Sequence, residues 1–477
     1  MASSQSQDAV EVNAPVAQDP DFKLPKLASL VIVLLTSGLL QISFFIIVSS
    51  ANLYAEHLGG TATFSGLVIG IPTVFSGLSL LPLIKLDQGG YKRPLHFACG
   101  SALLGHVLYA VAYKAIYLYL ILIGRIVSGL SFTFWMYAKR YCSDSRIVGI
   151  RRRTTLAGWL VVGQAIGFSL GPFVGGLLYK VGFSNSIFNG FTSPAWIMAA
   201  IWAVFWVVAG MLFEDVPRPT PAPLEVEMSR LPESEATKPD QGGVTPSDRS
   251  KNASLVQVNQ VPTANVEIAA PEPERFRMTA PQWGVTATMC WFAMTCFFIL
   301  GAWEANIPVF TGSDSPLSPF HFSPFAAGNL IALGGACTFP FLFLNLLLAR
   351  KTQDRITLAL GTFLGSAGLF IAIAILKTGT VNYGSLFMCW FLIALGFNLA
   401  STVTLSLLSK QLPGKWNTRI SMIIQYSNYS GRVTGAVWGG AGVKVGMLNY
   451  VGLQIGIVGI GVVMFSTLWR GLKAKTG

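Results

Sequence analysis

Charge is scarce in this chain. Only 11% of its 477 residues are charged, against about 25% in a soluble domain. Hydrophobic residues make up 52%, and the mean hydropathy is +0.56. These values exclude a soluble protein and point to one that crosses a membrane many times. Cysteine is scarce as well. Cys99, Cys290, Cys296, Cys337 and Cys389 fall in apolar runs and Cys142 in a loop, so no disulfide framework is expected. There is no zinc-ligand spacing, phosphate-binding loop or nucleophile elbow. No metal, no cofactor and no enzymatic activity are therefore expected. The first twenty-odd residues also lack the basic start, short apolar run and cleavage site of a signal peptide.

What the chain has is long apolar runs. A span needs roughly 20 mainly apolar residues. Twelve such runs occur, near 27–52, 63–84, 95–113, 116–138, 156–178, 194–213, 283–309, 324–349, 356–376, 383–408, 418–441 and 447–468. They are too long and too uniformly apolar for the alternating strands of an outer-membrane barrel. Residues 214–280 interrupt them with ten prolines, many acids and almost no aromatics. Such a stretch cannot bury enough apolar surface to fold and reads as a disordered linker. The expected organisation is a tail (1–26), a six-helix bundle (27–213), the linker (214–280), a second six-helix bundle (281–468) and a short tail (469–477).

Fifteen lysines and arginines lie in the loops of one side, among them Lys92, Arg93, Lys139, Arg140, Arg151, Arg152 and Arg153. The other side has four: Lys114, Lys180, Lys377 and Lys444. The basic side is read as cytoplasmic, and an even number of spans puts both termini there. Topology and attraction to anionic lipid then account for the net charge of +12, so nucleic acid is not an expected partner.

The fifth run carries the most specific pattern: Gly158-(x8)-Gly167-(x3)-Gly171-Pro172-(x2)-Gly175-Gly176. Gly163, Gly167, Gly171 and Gly175 are four apart and share one helix face, which lets a neighbouring backbone approach closely. Pro172 removes a helical donor and favours bending. The eleventh run repeats the pattern: Gly431, Gly435, Gly439 and Gly440 follow Gly167, Gly171, Gly175 and Gly176 at a constant offset of 264, with Ala436 in place of Pro172. A weaker echo pairs Phe44-Phe45-Ile46 with Phe297-Phe298-Ile299. Two related six-span halves can rock about a central site.

On these motifs the chain resembles a transporter of the major facilitator superfamily. The fifth-run pattern is similar to the antiporter motif of the drug:proton antiporter group at every defined position. An arginine followed four residues later by glycine, Arg125 and Gly129, resembles the family's span-four motif. The loop between spans two and three matches the family's gate motif only in part. Asp87, Gly90, Lys92 and Arg93 remain, while the opening glycine and the arginine after the aspartate are missing. That reduced motif and the cytoplasmic loops also resemble the lysosomal and vacuolar branch. The resemblance implies an all-α integral membrane fold of twelve transmembrane helices in two six-helix repeats.

Intramembrane charges are costly and mark cavities or partners. Arg125 is a candidate contact for a proton-carrying group or an anionic substrate, or else a brace on backbone carbonyls. Arg432 is either a ligand contact or a side chain snorkelling to the interface. Glu304, near the outer end of span seven, is the best proton-coupling candidate in the second half, or else an interfacial acid. Gln41, Gln164, Asn398 and Gln425 are candidate polar contacts, several on spans that line the cavity by resemblance. Trp135, Tyr137, Trp291, Trp303 and Trp390 are candidates for an aromatic lining.

The expected function is transport of a small organic molecule, anionic or zwitterionic, by alternating access with proton antiport, either as efflux or as loading of an organelle. Symport or facilitated uptake is the rival, and a non-transporting receptor or scaffold is the rival of another class. The expected setting is a monomer in the plasma membrane or in a vacuolar or other organelle membrane, with both termini cytoplasmic.

Overall fold

Every apolar run becomes a helix in the computed structural model, which describes residues 20–216 and 278–472 apart from 88, 183–184, 349–351 and 413–415. The predicted linker lies outside the described residues except at its two ends, as do most of the N-terminal tail and the last five residues. The first half contains α1 (Leu27–Phe45), α2 (Ala51–His57), α3 (Ala62–Lys85), α4 (Lys92–Ala115), α5 (Leu118–Ser131), α6 (Phe134–Ser143), α7 (Ile150–Val181) and α8 (Ser193–Leu212). The second contains α9 (Ala280–Gly312), α10 (Pro324–Leu348), α11 (Asp354–Thr378), α12 (Tyr383–Ser409), α13 (Asn417–Val445) and α14 (Met447–Leu468). Hydrocarbon offers backbone groups no water to bond, so each crossing segment satisfies them within a helix. Both halves belong to one compact unit.

Among the described residues, eleven stretches are long and apolar enough to cross a membrane. The twelfth crossing is α13, 29 residues long but interrupted by Gln425, Asn428 and Arg432. Its polar residues turn inward, so a helix that is poor by composition still spans. Two crossings are broken where the sequence predicts single helices. The first stops at Phe45, turns through residues 46–50 and resumes as α2. The fourth is divided at Phe132 and Thr133 into α5 and α6.

Glycine explains how the halves are built. Gly171 sits so close to α1 that a Cβ there would lie 2.6 Å from the Phe45 Cβ, and one on Gly175 would overlap the Ile46 carbonyl. In the second half Gly431, Gly435 and Gly439 press in the same way on Met294, Phe298 and Ala302 of α9. Lipid tails are as apolar as the helices, so this closeness stabilises through packing contacts, not through exclusion of water. Gly176 and Gly440, next in line, face the opposite half at Phe325 and Ala62. Pro172 leaves α7 continuous, and its carbonyl is the surface that Gly328 packs against.

The halves meet along two seams, α3 against α13 and α7 against α10. In the first seam Tyr429 Oη lies 3.1 Å from Ser76 Oγ, and Tyr426 Oη donates to the Gly77 carbonyl at 3.0 Å. The second is closed at one end by Gly176 on Phe325 and by Lys180, whose ammonium sits 4.6 Å from the centre of the Phe325 ring. That closed end is remote from the termini. Both described chain ends lie on the other face, where Gly149 N donates to the Lys23 carbonyl and Arg355 donates to the Trp469 carbonyl.

Candidate substrate cavity and its charged pair

Between the halves lies a cavity of about 660 Å³. Its deepest polar wall is Glu304 on α9 and Arg432 on α13, and it runs from there to Thr352, Asp354 and Lys410 on the face that carries the termini. Lys410 is about half exposed there. On the far side the glycine contacts shut the path. The cavity is therefore open to one side only, which is one of the two states alternating access requires.

Glu304 is 0% exposed and Arg432 7% exposed. The guanidinium donates through Nη1 to Oε1 at 3.2 Å and through Nη2 to Oε2. This removes one of the two alternatives for each residue. Glu304 is not an interfacial acid, and Arg432 does not snorkel. α9 and α13 lie close enough for the pair because Gly301 and Gly435 bring their backbones together. Arg432 also sits over the rings of Phe44, at 4.9 Å, and Phe45, at 5.2 Å. A guanidinium over an aromatic face is held by the ring quadrupole, so the pair of the second half bears directly on α1 of the first.

Arg125 is placed differently from the expectation that it meets substrate. It is 1% exposed and is absent from the cavity wall. Its guanidinium donates to the carbonyls of Ser43, Phe44 and Val68 at 3.3, 3.4 and 3.3 Å. At the turn Val48 N, which a continuous helix would aim at the Phe44 carbonyl, bonds the Phe45 carbonyl instead, and Arg125 supplies a donor to Phe44. Its guanidinium carbon also lies 5.5 Å from the centre of the Phe44 ring. Phe44 thus touches an arginine of each half. With Arg125 behind the wall and Arg432 paired with Glu304, neither arginine stands free in the cavity.

Gln41, Gln164, Asn398 and Gln425, the candidate polar contacts, all line the cavity. Gln164 reaches Ser37 Oγ at 3.5 Å, and Asn398 Nδ2 donates to the Ala394 carbonyl at 2.7 Å. Of the five aromatic candidates, only Trp135 lines the cavity. Trp303 donates to Gln454, Trp390 to the Ile331 carbonyl, Trp291 to the Ile457 carbonyl and Tyr137 to the Leu83 carbonyl, all in packing roles. Trp135 and Asn428 line the cavity, while Trp135 Nε1 and Asn428 Oδ1 are turned away from solvent with no hydrogen-bond partner among the described residues. The sequence reading did not single out Phe44, Phe45 and Phe297 as lining residues. Their signal was there, in the Phe-Phe-Ile echo between spans one and seven. Lys139, Asp354 and Lys410 were missed because their positions near helix ends look like ordinary interfacial charge.

The loop expected to form a gate is braced within the first half. Asp87 pairs with Arg140. Asp215, just after α8, accepts from Tyr91 N at 2.7 Å, and its carboxylate lies 2.7 Å from where a Cβ on Gly90 would sit. Tyr91 Oη donates to Asp144 at 2.8 Å, and Arg146 donates to Asp144 at 2.6 Å and to the Gly89 carbonyl at 2.8 Å. Burial works to raise the pKa of Asp144, but the hydrogen bonds from Arg146 and Tyr91 outweigh it and hold it at about 2. Lys92 and Arg93 open α4. Cys142, expected in a loop, is in the last turn of α6 and buried. All six cysteines are free, and no metal-holding cluster of His, Cys, Asp or Glu occurs among the described residues.

The chain belongs to the Major Facilitator Superfamily, whose profile matches residues 33–436. It is therefore a multi-pass membrane transport protein and not an enzyme. It is 29% identical over 472 residues to an uncharacterised MFS-type transporter of Schizosaccharomyces pombe, covering 97% of this chain and 86% of that one. Among solved structures it is similar to a POT family transporter in complex with 5-aminolevulinic acid, with TM-score 0.65, 12% identity and coverage of 93% and 96%. It is also similar to a bacterial homologue of the human lysosomal transporter Spinster in an inward-facing, occupied conformation, with TM-score 0.62, 12% identity and coverage of 94% and 98%. At such identities the structural likeness speaks for the fold.

Proposed function

We propose that the chain is a proton-coupled antiporter that carries a small zwitterionic molecule, with Glu304 as the proton-carrying group. The observation that supports this reading is the Glu304–Arg432 pair in the wall of a cavity open on one side. A carboxylate and a guanidinium side by side present a negative and a positive site to the same ligand. A zwitterion can take both, its cation on Glu304 and its anion on Arg432. Removing one member of a buried pair without replacement costs about 3–5 kcal/mol, so the pair opens only when ligand charges take over. A proton on Glu304 removes the site for the ligand's cation. Proton and substrate then exclude each other, which is the requirement for exchange. The basic loops favour a cytoplasmic position for the open face, and direction then depends on the membrane in which the protein resides.

The test is proton flux in liposomes of purified protein loaded with a pH dye, challenged with zwitterions, organic anions and hydrophobic cations. Zwitterion-driven proton movement, abolished in Glu304→Gln, is the expected result. Substrate movement without proton flux in either protein overturns the coupling. Flux driven equally well by simple anions overturns the substrate class.

A further inference from the structure

Among the described residues, five charged side chains line the central cavity: Lys139, Glu304, Asp354, Lys410 and Arg432. Four of them form two pairs. Arg432 holds Glu304 at the deep end, and Lys410 donates to Asp354 at 2.6 Å near the opening. Lys139 is left over. Other acids at this end of the protein are engaged as well, Asp87 with Arg140, Asp144 with Arg146 and Glu214 with Lys26. The described wall therefore carries one positive charge in excess, and it belongs to Lys139.

The local fold puts that charge in the cavity and not among lipid headgroups. Lys139 lies four residues after Trp135 on α6, so the two share a helix face, and both line the cavity. Tyr137 and Arg140 turn instead to the first half's own α3 and the loop after it, where they bond the Leu83 carbonyl and Asp87. One turn, about 6 Å along the axis, separates Lys139 from Trp135. Trp135 stacks on Phe132 with ring centres 4.7 Å apart, Phe132 lies 5.6 Å from Phe44, and the Arg432 guanidinium lies 4.9 Å from the Phe44 ring. A run of rings thus leads from the turn that carries Lys139 to the buried pair. Beyond Lys139, the chain after α6 reaches the face of the termini, where Lys23 donates to the Arg146 carbonyl at 2.7 Å. Lys139 is exposed, between the open end and the pair.

An unbalanced charge in a cleft with low-dielectric walls focuses the field and concentrates counter-ions there. A neutral zwitterion satisfies Glu304 and Arg432 and leaves Lys139 unmatched. A zwitterion with one more anionic group matches the whole wall. We infer that the substrate carries a net negative charge and that Lys139 binds its additional anionic group. This rests on the transport reading above and adds the net charge and the residue that selects it.

The test measures ligand binding to the full-length protein in detergent, read as the rise of melting temperature with ligand concentration. The probes are aspartate, glutamate, alanylglutamate and alanylalanylglutamate, each beside its side-chain amide counterpart, which has nearly the same shape and one negative charge fewer. Wild type is compared with Lys139→Gln, Lys139→Arg and Lys139→Glu, and with Lys114→Gln as a control for removing a lysine from the opposite side. At low salt at least one acid should bind wild type about fivefold more tightly than its amide, the upper range for an ion pair open to water. Lys139→Gln should abolish the preference, Lys139→Arg keep it, Lys139→Glu invert it and Lys114→Gln leave it unchanged. Salt at about 0.5 M should shrink it to below about twofold. A lysine that only braces the fold would change the melting temperature without ligand and leave the ratio of acid to amide alone.

If no acid outbinds its amide in wild type, or if the preference survives in Lys139→Gln, the inference is overturned. None of these measurements involves proton flux. Amides that drive Glu304-dependent flux as well as the acids do, in wild type and in Lys139→Gln, leave the transport reading standing and remove the role of Lys139. Acid preference that requires Lys139 but comes without flux does the reverse. Glutarate, which lacks the amine, separates the two sites: binding as tight as that of glutamate removes the cation site on Glu304 and leaves the anion site on Lys139.

Discussion

Arg432 on α13 grips both carboxylate oxygens of Glu304 on α9 while its guanidinium lies over the rings of Phe44 and Phe45 on α1. One side chain thus joins the deepest charge of the second half to the broken helix of the first. Any event that releases Glu304 changes what holds α1 at its turn.

Breaking this pair from one side should cost more than removing it whole. Glu304→Gln alone leaves Arg432 buried beside a neutral amide, at about 3–5 kcal/mol. The double variant Glu304→Gln with Arg432→Met should recover most of that loss. Thermal unfolding of the single and double variants in detergent checks the order, and a double variant less stable than both singles contradicts it.

Arg125 should behave as a brace and not as a ligand contact. Arg125→Lys keeps the charge but cannot reach three carbonyls on two helices. Stability should fall by about 1–3 kcal/mol, the cost of unpaired buried acceptors, while the affinity of properly folded protein for substrate should change less than twofold. A large loss of affinity with unchanged stability would show that the side chain serves the ligand.

Glycine substitutions should separate by contact and not by motif membership. Gly175→Ala meets the Ile46 carbonyl, and Gly435→Ala meets that of Phe298. Overpacking of this kind costs about 1–3 kcal/mol. Gly158, the first glycine of the motif, would place a Cβ only 3.3 Å from the tip of the flexible Leu346 side chain, and its alanine variant should be tolerated. Gly456, with no neighbour within 4 Å, is the neutral control. Melting temperatures of the four alanine variants decide the matter.

The Asp144 network carries a pH signature. Its folded pKa of about 2 lies below the ordinary value of 3.8. The stabilisation is therefore fully present above about pH 4 and is lost as pH falls from there towards 2. Asp144→Asn should lower stability by a constant amount between pH 5 and 8. The gap from wild type should narrow as pH drops below 4. A gap that widens on acidification would mean that the carboxylate is not held in its charged form.

How much of this was legible in the sequence follows from the range over which each cause acts. Twelve crossings, their helical nature and the twofold repeat are local or periodic properties. A run of apolar residues must form a helix in hydrocarbon wherever the rest of the chain goes, and glycines repeated at an offset of 264 reveal like helices in like positions. Gln41, Gln164, Asn398, Gln425, Glu304 and Arg432 could be named as candidates because polar groups are too costly to face lipid. Tertiary structure alone decided which of them meet. Glu304 and Arg432 are 128 residues apart in the chain and bond because α9 and α13 touch at glycines. Arg125 looks equally functional in the sequence, yet it is consumed by the carbonyls of Ser43, Phe44 and Val68 on two other helices. The break at residues 46–50 lies in an unremarkable apolar run, and its stability comes from an arginine on a different helix. Partnership between distant side chains depends on how the helices pack, and composition, which acts within each helix, carries no record of it.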